Sequence, residues 1–96
     1  MNVKFKEWNC KVIKCNYVTG HLALKLVDVE DGSPIATASV NLPATTDISE
    51  GYVYIKDWSE NEGMLKALTE AGIVEPVGVR SPTGRCMADL CKYTGG

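Results

Sequence analysis

The chain has 96 residues, 45% of them apolar and 23% charged, with a formal net charge of −2. That is one domain, residues 1–96, near the low end of what buries an adequate core unaided. No stretch approaches the ~20 consecutive apolar residues of a membrane-spanning helix, and a pI near 5.3 argues against direct nucleic-acid binding, which calls for a strongly basic domain.

The first segment, MNVKFKEWNCKVIKC, threads lysines through its apolar positions. It lacks the unbroken apolar core of a signal peptide, so a cytoplasmic location is expected. Residues 1–17 read as extended, with Cys10 and Val12 on one face and Ile13, Cys15 and Tyr17 on the other. Asn16 and Thr19-Gly20 mark a turn, and LALKLVDV (22–29) is a second strand. Asp31-Gly32 between apolar runs is a strong hairpin signal. IATASVNL (35–42) returns, with Ala36, Ala38, Val40 and Leu42 facing the core and Thr37, Ser39 and Asn41 on the wetter face.

Residues 43–50 read as a loop and YVYIK (52–56) as a short strand. A helix follows over about residues 60–71. Ser59 and Glu62 fit a capping box at its start, and Met64, Leu65, Leu68 and Ala71 give it one apolar stripe. Gly72 is placed for a left-handed C-terminal cap with Ile73 closing over the last turn. VGVRSPTG (77–84) is punctuated by glycine and proline, and residues 85–93 alternate as a last strand. The expected fold is a single α+β domain, a small antiparallel sheet of four to five strands packed against one helix. Its expected core is Val12, Leu24, Leu26, Ala36, Ala38, Val40, Val53, Met64, Leu65 and Leu68.

Charge is unevenly spread. Residues 1–25 carry +4, residues 26–75 carry −8 and residues 76–96 carry +2. Such separation can steer a charged partner, although the −8 is spread over fifty residues and interrupted by two lysines, too diffuse to imitate a phosphate backbone.

Catalytic chemistry finds no foothold. The single histidine, His21, sits in a turn and is expected to face solvent, and no serine or cysteine lies in a nucleophile motif. The acids Glu30-Asp31 and Glu60-x-Glu62 occupy a hairpin tip and a helix mouth, where acids serve local structure. No phosphate-binding glycine motif occurs. The chain is expected not to be an enzyme and to need no cofactor. Cys10-x4-Cys15 and Cys86-x4-Cys91 resemble paired metal motifs, but five positions along a strand place two thiols on opposite faces. Buried structural thiols fit best, with a cross-strand disulfide and a metal site as the alternatives.

The stretch KDWSENEG (56–63) is the best candidate interface. Trp58 at the position before Ser59 would staple against Gly63, which has no side chain, so its indole lacks a partner within the helix. Tryptophan beside Asp57, Glu60 and Glu62 suits an anchor for a basic partner surface; the competing reading makes Trp58 a lid on the core. A second candidate places Arg80 and Arg85, in the glycine- and proline-rich segment, around a small anion or nucleotide.

GHLALKLVDVEDGSPIATASVNLP (20–43) fits the pattern G-x-L-A-[IL]-x-L-x-D-x-E-D-G-x-P-[FI]-A-T-x-[ST]-V-N-L-P. On these residues the chain resembles an uncharacterised family of small proteins from gut Gram-positive bacteria, their phages and conjugative elements. The likeness extends over residues 12–93 through Pro76, Gly78 and Gly84-x-Cys86. Family members carry Asn- and Cys-Pro-rich segments where this chain has KDWSENEG, so Trp58 is not a family feature. The resemblance brings no catalytic residue, cofactor or metal. It implies a mobile-element setting, in which a small acidic protein binds a host protein such as a defence nuclease, in the manner of CRISPR inhibitors and other anti-defence proteins.

Overall fold

A computed structural model describes residues 2–42, 48–83 and 85–95. Its first four strands are β1 (Asn2–Phe5), β2 (Trp8–Asn16), β3 (Leu22–Asp28) and β4 (Pro34–Thr37). They form one antiparallel sheet in the order β1-β2-β3-β4. The expected extended run 1–17 is therefore two strands. The chain reverses at Lys6-Glu7, with Phe5 opposite Trp8 and Lys6 held at φ 55°. That left-handed conformation costs a non-glycine residue roughly 1 kcal/mol, which the sheet pairing on both sides offsets.

The other two turns of this sheet form where the sequence signals them. Gly20 (φ 92°) and Gly32 (φ 74°) take left-handed conformations. Tyr17 N donates to His21 O at 2.8 Å and Asp28 N to Ser33 O at 2.8 Å, closing the two hairpins. Side chains lock the second: Asp31 accepts from both the backbone and the hydroxyl of Ser33.

After Thr37 the chain leaves this sheet for the next. Ala38 N still donates to Leu24 O, but Lys56 N donates to Ala38 O and Val40 N to Tyr54 O. Ser39 thus pairs with Ile55, a residue of β5 (Tyr52–Ile55) in the second sheet. This crossing overturns the expected alternation, since Ala38 and Ser39 are both buried. The Ser39 hydroxyl avoids the penalty of a buried unpaired polar group by accepting from Leu24 N at 3.1 Å and bonding the Tyr17 hydroxyl at 2.8 Å.

The second sheet has the order β5-β7-β6, with β6 at Val74–Thr83 and β7 at Cys86–Tyr93. Residues 77–83, read from the sequence as punctuated by glycine and proline, belong to β6. An irregularity lies at their start: the pairing register shifts between Pro76 and Arg80, and Gly78 takes φ 83° there. Of the expected loop 43–50, residues 43–47 lie outside the described residues, as does Gly84.

The helix is shorter than expected. Ser59–Asn61 is a 3-10 turn, and α1 proper runs Met64–Glu70. Gly63 at φ 92° separates the two. The C-terminus follows the expected cap, with Gly72 at φ 74°, Gly72 N donating to Thr69 O and Ile73 N to Leu68 O at 2.9 Å. Met64 and Leu68 are fully buried. α1 touches β1 and β6, the outer strands of the two sheets, and so closes the gap between them.

The α+β antiparallel class holds, although the described residues form seven strands in two sheets. Of the expected core, Val12, Leu24, Leu26, Ala38, Val53, Met64 and Leu68 are buried, Ala36 and Leu65 pack partly buried against them, and Val40 is half-buried. Val3, Phe5, Cys10, Ile55, Ile73, Val74 and Cys91 join it.

Candidate functional site

The expected capping box does not form. Neither residue at the N-cap position, Trp58 before the 3-10 turn or Gly63 before α1, caps with its own side chain, and Ser59 itself is left-handed at φ 54°. The reason is Gly63, which inserts a break between Glu62 and the first helical residue. Asp57 does the capping from outside, its Oδ1 accepting from Leu65 N at 2.9 Å. Its carboxylate is thereby committed to the helix start, where an anion also meets the positive end of the helix dipole.

Glu60 is likewise engaged. Its Oε1 lies 2.7 Å from Lys56 Nζ, a bond that holds its carboxyl below the ordinary carboxylate range. Its backbone carbonyl accepts from Lys6 Nζ at 2.8 Å. Asn61, fully buried, donates through Nδ2 to Thr37 O at 2.7 Å and fastens the turn to β4. Glu62 is exposed and has no ion pair among the described residues. Trp58 is half-buried, neither a sealed lid nor a free anchor.

The Lys6–Glu60 bond sets the β1–β2 turn directly against the 3-10 turn. On the far side of the β1–β2 turn lies a groove of about 210 Å³, lined by Glu7, Trp8, Asn9, Asp28, Val29 and Glu30. Trp8 is 42% exposed and Val29 44%. Glu7, Asp28 and Glu30 form no ion pair among the described residues. The Lys6–Glu60 bond thus brings the turn that bears Trp58 and Glu62 next to the turn whose Glu7 and Trp8 begin the groove. The part contributed by β3 is invisible in sequence order, because Asp28 reaches Trp8's neighbourhood only through the pairing of Cys10 with Asp28.

Arg80 and Arg85 do not enclose an anion together. Arg80 Nε pairs with Asp89 Oδ1 at 3.0 Å across the β6–β7 register, and Arg85 is exposed in the turn before β7.

A second cavity, of about 410 Å³, opens at the other end of β2. Lys14, Asn16, His21, Leu22 and residues 48–52 line it. His21 is half-buried in its wall, not turned fully to solvent as expected.

All four cysteines are free thiols, Cys10 and Cys91 buried, Cys15 and Cys86 half-buried. Burial pushes the Cys10 thiol up and the Cys91 thiol up to about 12. Among the described residues, no three His, Cys, Asp or Glu side chains gather as a metal site, and no helix is long and apolar enough to cross a membrane. No protein-family model, no curated protein and no solved structure matches the chain.

Proposed function

We propose that this chain is a non-enzymatic protein-binding module whose acidic, tryptophan-bearing face grips a basic surface on a host protein. The observation that carries the reading is the Lys6–Glu60 bond at 2.8 Å, which brings the acidic 3-10 turn next to the β1–β2 turn, whose Glu7 and Trp8 begin the groove that Asp28 and Glu30 also line. Exposed apolar rings supply contact area at the centre of such a face. Unpaired carboxylates around them speed association with a basic partner and penalise acidic ones. The resemblance to phage and conjugative-element proteins supports a partner among host defence nucleases, whose nucleic-acid channels are positively charged. The module then acts in the host cytoplasm as an anti-defence inhibitor.

The roles within the face follow from the pairing. Trp8, Trp58 and Glu62 make the contacts, whereas Asp57 and Glu60 hold the face in shape. The test is biolayer interferometry of the full chain against a purified RNA-guided nuclease of the host. Trp8→Ala and Glu62→Lys are expected to weaken binding at least about ten-fold, with a salt-sensitive association rate and near-native melting. Binding that survives both substitutions, or no binding to any basic host nuclease, rejects the proposal.

A further inference from the structure

The inward row of β2 contains a break in character. Side chains two apart share a strand face, so Cys10 and Val12, both buried, are followed on the same face by Lys14 and Asn16. Lys14 and Asn16 are both exposed, so the buried row ends at Val12 and the lysine keeps the water its charge requires. Lys14 crosses to the second sheet, where its Nζ lies 5.0 Å from the centroid of the Tyr93 ring on β7. It forms no ion pair among the described residues. The apolar core thus gives way at this end to a cavity of about 410 Å³ between the sheets, with an unneutralised cation in its wall.

The remaining lining is mixed, with Leu22 and Ile48 beside polar side chains, and comes from separate segments. Asn16 donates its Nδ2 to Gly20 O at 3.0 Å, which leaves its Oδ1 as an acceptor. Ser49 contributes a hydroxyl, Glu50 a carboxylate and Tyr52 a half-buried ring, with Leu22 as apolar floor. The volume is several times that of a lone inorganic ion and falls within the range of small-molecule sites, which favour the mouths of β-structures. Lys14 and Ser49 are donors suited to an oxyanion, whereas Glu50 and Asn16 Oδ1 are acceptors suited to hydroxyl groups.

We propose that this mouth binds a small phosphomonoester with a hydroxyl-bearing body, Lys14 holding the phosphate. The site is separate from the acidic face and does not depend on it. Sugar phosphates and nucleoside monophosphates share this chemistry, and the two are distinguished by titrating ¹⁵N-labelled full-length protein with ribose 5-phosphate and with AMP. Free ribose and inorganic phosphate serve as partial probes. The expected result is saturable shifts at the backbone amides of His21, Leu22 and Ser49–Tyr52 with one or both phosphate esters, and smaller shifts with ribose. Lys14→Gln is expected to weaken binding about ten-fold, the scale of one lost charge-assisted contact, and Lys14→Arg to retain most of it. Lys11→Gln, on the outward face of the same strand, should bind as wild type. No shift at millimolar ester, equal response to free ribose, or equal loss from Lys11→Gln and Lys14→Gln each overturns the proposal.

Discussion

Replacing Asp57 by alanine tests how this short helix is started. α1 spans seven residues, Met64–Glu70, well below the length at which an isolated helix persists in water. It therefore depends on its packing and on its ends. The C-terminal end is satisfied by the left-handed Gly72 and its two backbone bonds. At the N-terminal end, Gly63 provides no side chain, and among the described residues the side-chain acceptor for a first-turn N–H is Asp57 Oδ1, 2.9 Å from Leu65 N. Losing a cap of this kind costs about 0.5–2 kcal/mol. The charge–dipole part of that cost is included, because the same oxygen provides both. In a domain of this size each 1 kcal/mol corresponds to roughly 4–8 °C in Tm, so Asp57→Ala should melt about 2–16 °C lower by circular dichroism. Asp57→Asn, which keeps an acceptor oxygen, should recover most of the loss. Ser59→Ala should change stability by less than about 0.5 kcal/mol, and Ser59→Gly should be neutral or stabilising because it relieves a left-handed serine. If Ser59→Ala proves as damaging as Asp57→Ala, or Asp57→Ala melts like wild type, the cap assignment is wrong.

Three further outcomes are expected. Ser39→Ala leaves Leu24 N without its buried acceptor, while the Tyr17 hydroxyl keeps the residue-39 carbonyl, so urea denaturation should register a loss of about 1–3 kcal/mol, with Tyr17→Phe costing less. The Cys91 thiol, raised from an ordinary 9.0 to about 12 by burial, ionises in the unfolded chain before it does in the folded one. Its contribution to stability is fully present below about pH 9 and is lost as pH climbs toward about 12. Tm measured across that window should fall less steeply for Cys91→Ala than for wild type, and pulse alkylation at neutral pH should modify Cys15 and Cys86 ahead of Cys10 and Cys91.

Where a turn is encoded by backbone chemistry, the sequence announces it. Gly20, Asp31-Gly32 and Gly72 each mark a left-handed position, and each turn forms as expected. Lys6 adopts the same region with no such signature, because pairing of Val3 with Cys10 and Phe5 with Trp8 outweighs its local preference. Gly63 misleads in the opposite sense: an apolar stripe runs past it, and only the positive φ reveals that the helix starts afresh. The crossing strand at Ser39 is hidden for a similar reason, since alternation predicts a wet serine and says nothing of a second sheet. At the candidate face, composition alone identified an acidic stretch with a tryptophan. The division of labour within it depends on Lys6 meeting Glu60 across 54 positions, and on Asp57 reaching past Gly63. Arg80 shows the same limit, its partner Asp89 being fixed by strand register.

The two proposed surfaces sit at opposite ends of one strand, which makes their independence measurable. Trp8 begins β2 at the acidic groove and Asn16 ends it at the mouth cavity. Trp8 and Lys14, six steps of about 3.3 Å apart on the strand, are separated by roughly 20 Å. Substitutions that far apart, with no shared partner, normally add to within about 0.5 kcal/mol. The double variant Trp8→Ala/Lys14→Gln should therefore lose partner binding as Trp8→Ala does and ester binding as Lys14→Gln does. Saturating the mouth with ester should leave the nuclease dissociation constant unchanged, because neither ligand touches an element with two arrangements in this structure. A shift in that constant of several-fold on adding ester, abolished by Lys14→Gln, would show that the strand transmits between its ends and that the two sites are one regulated device.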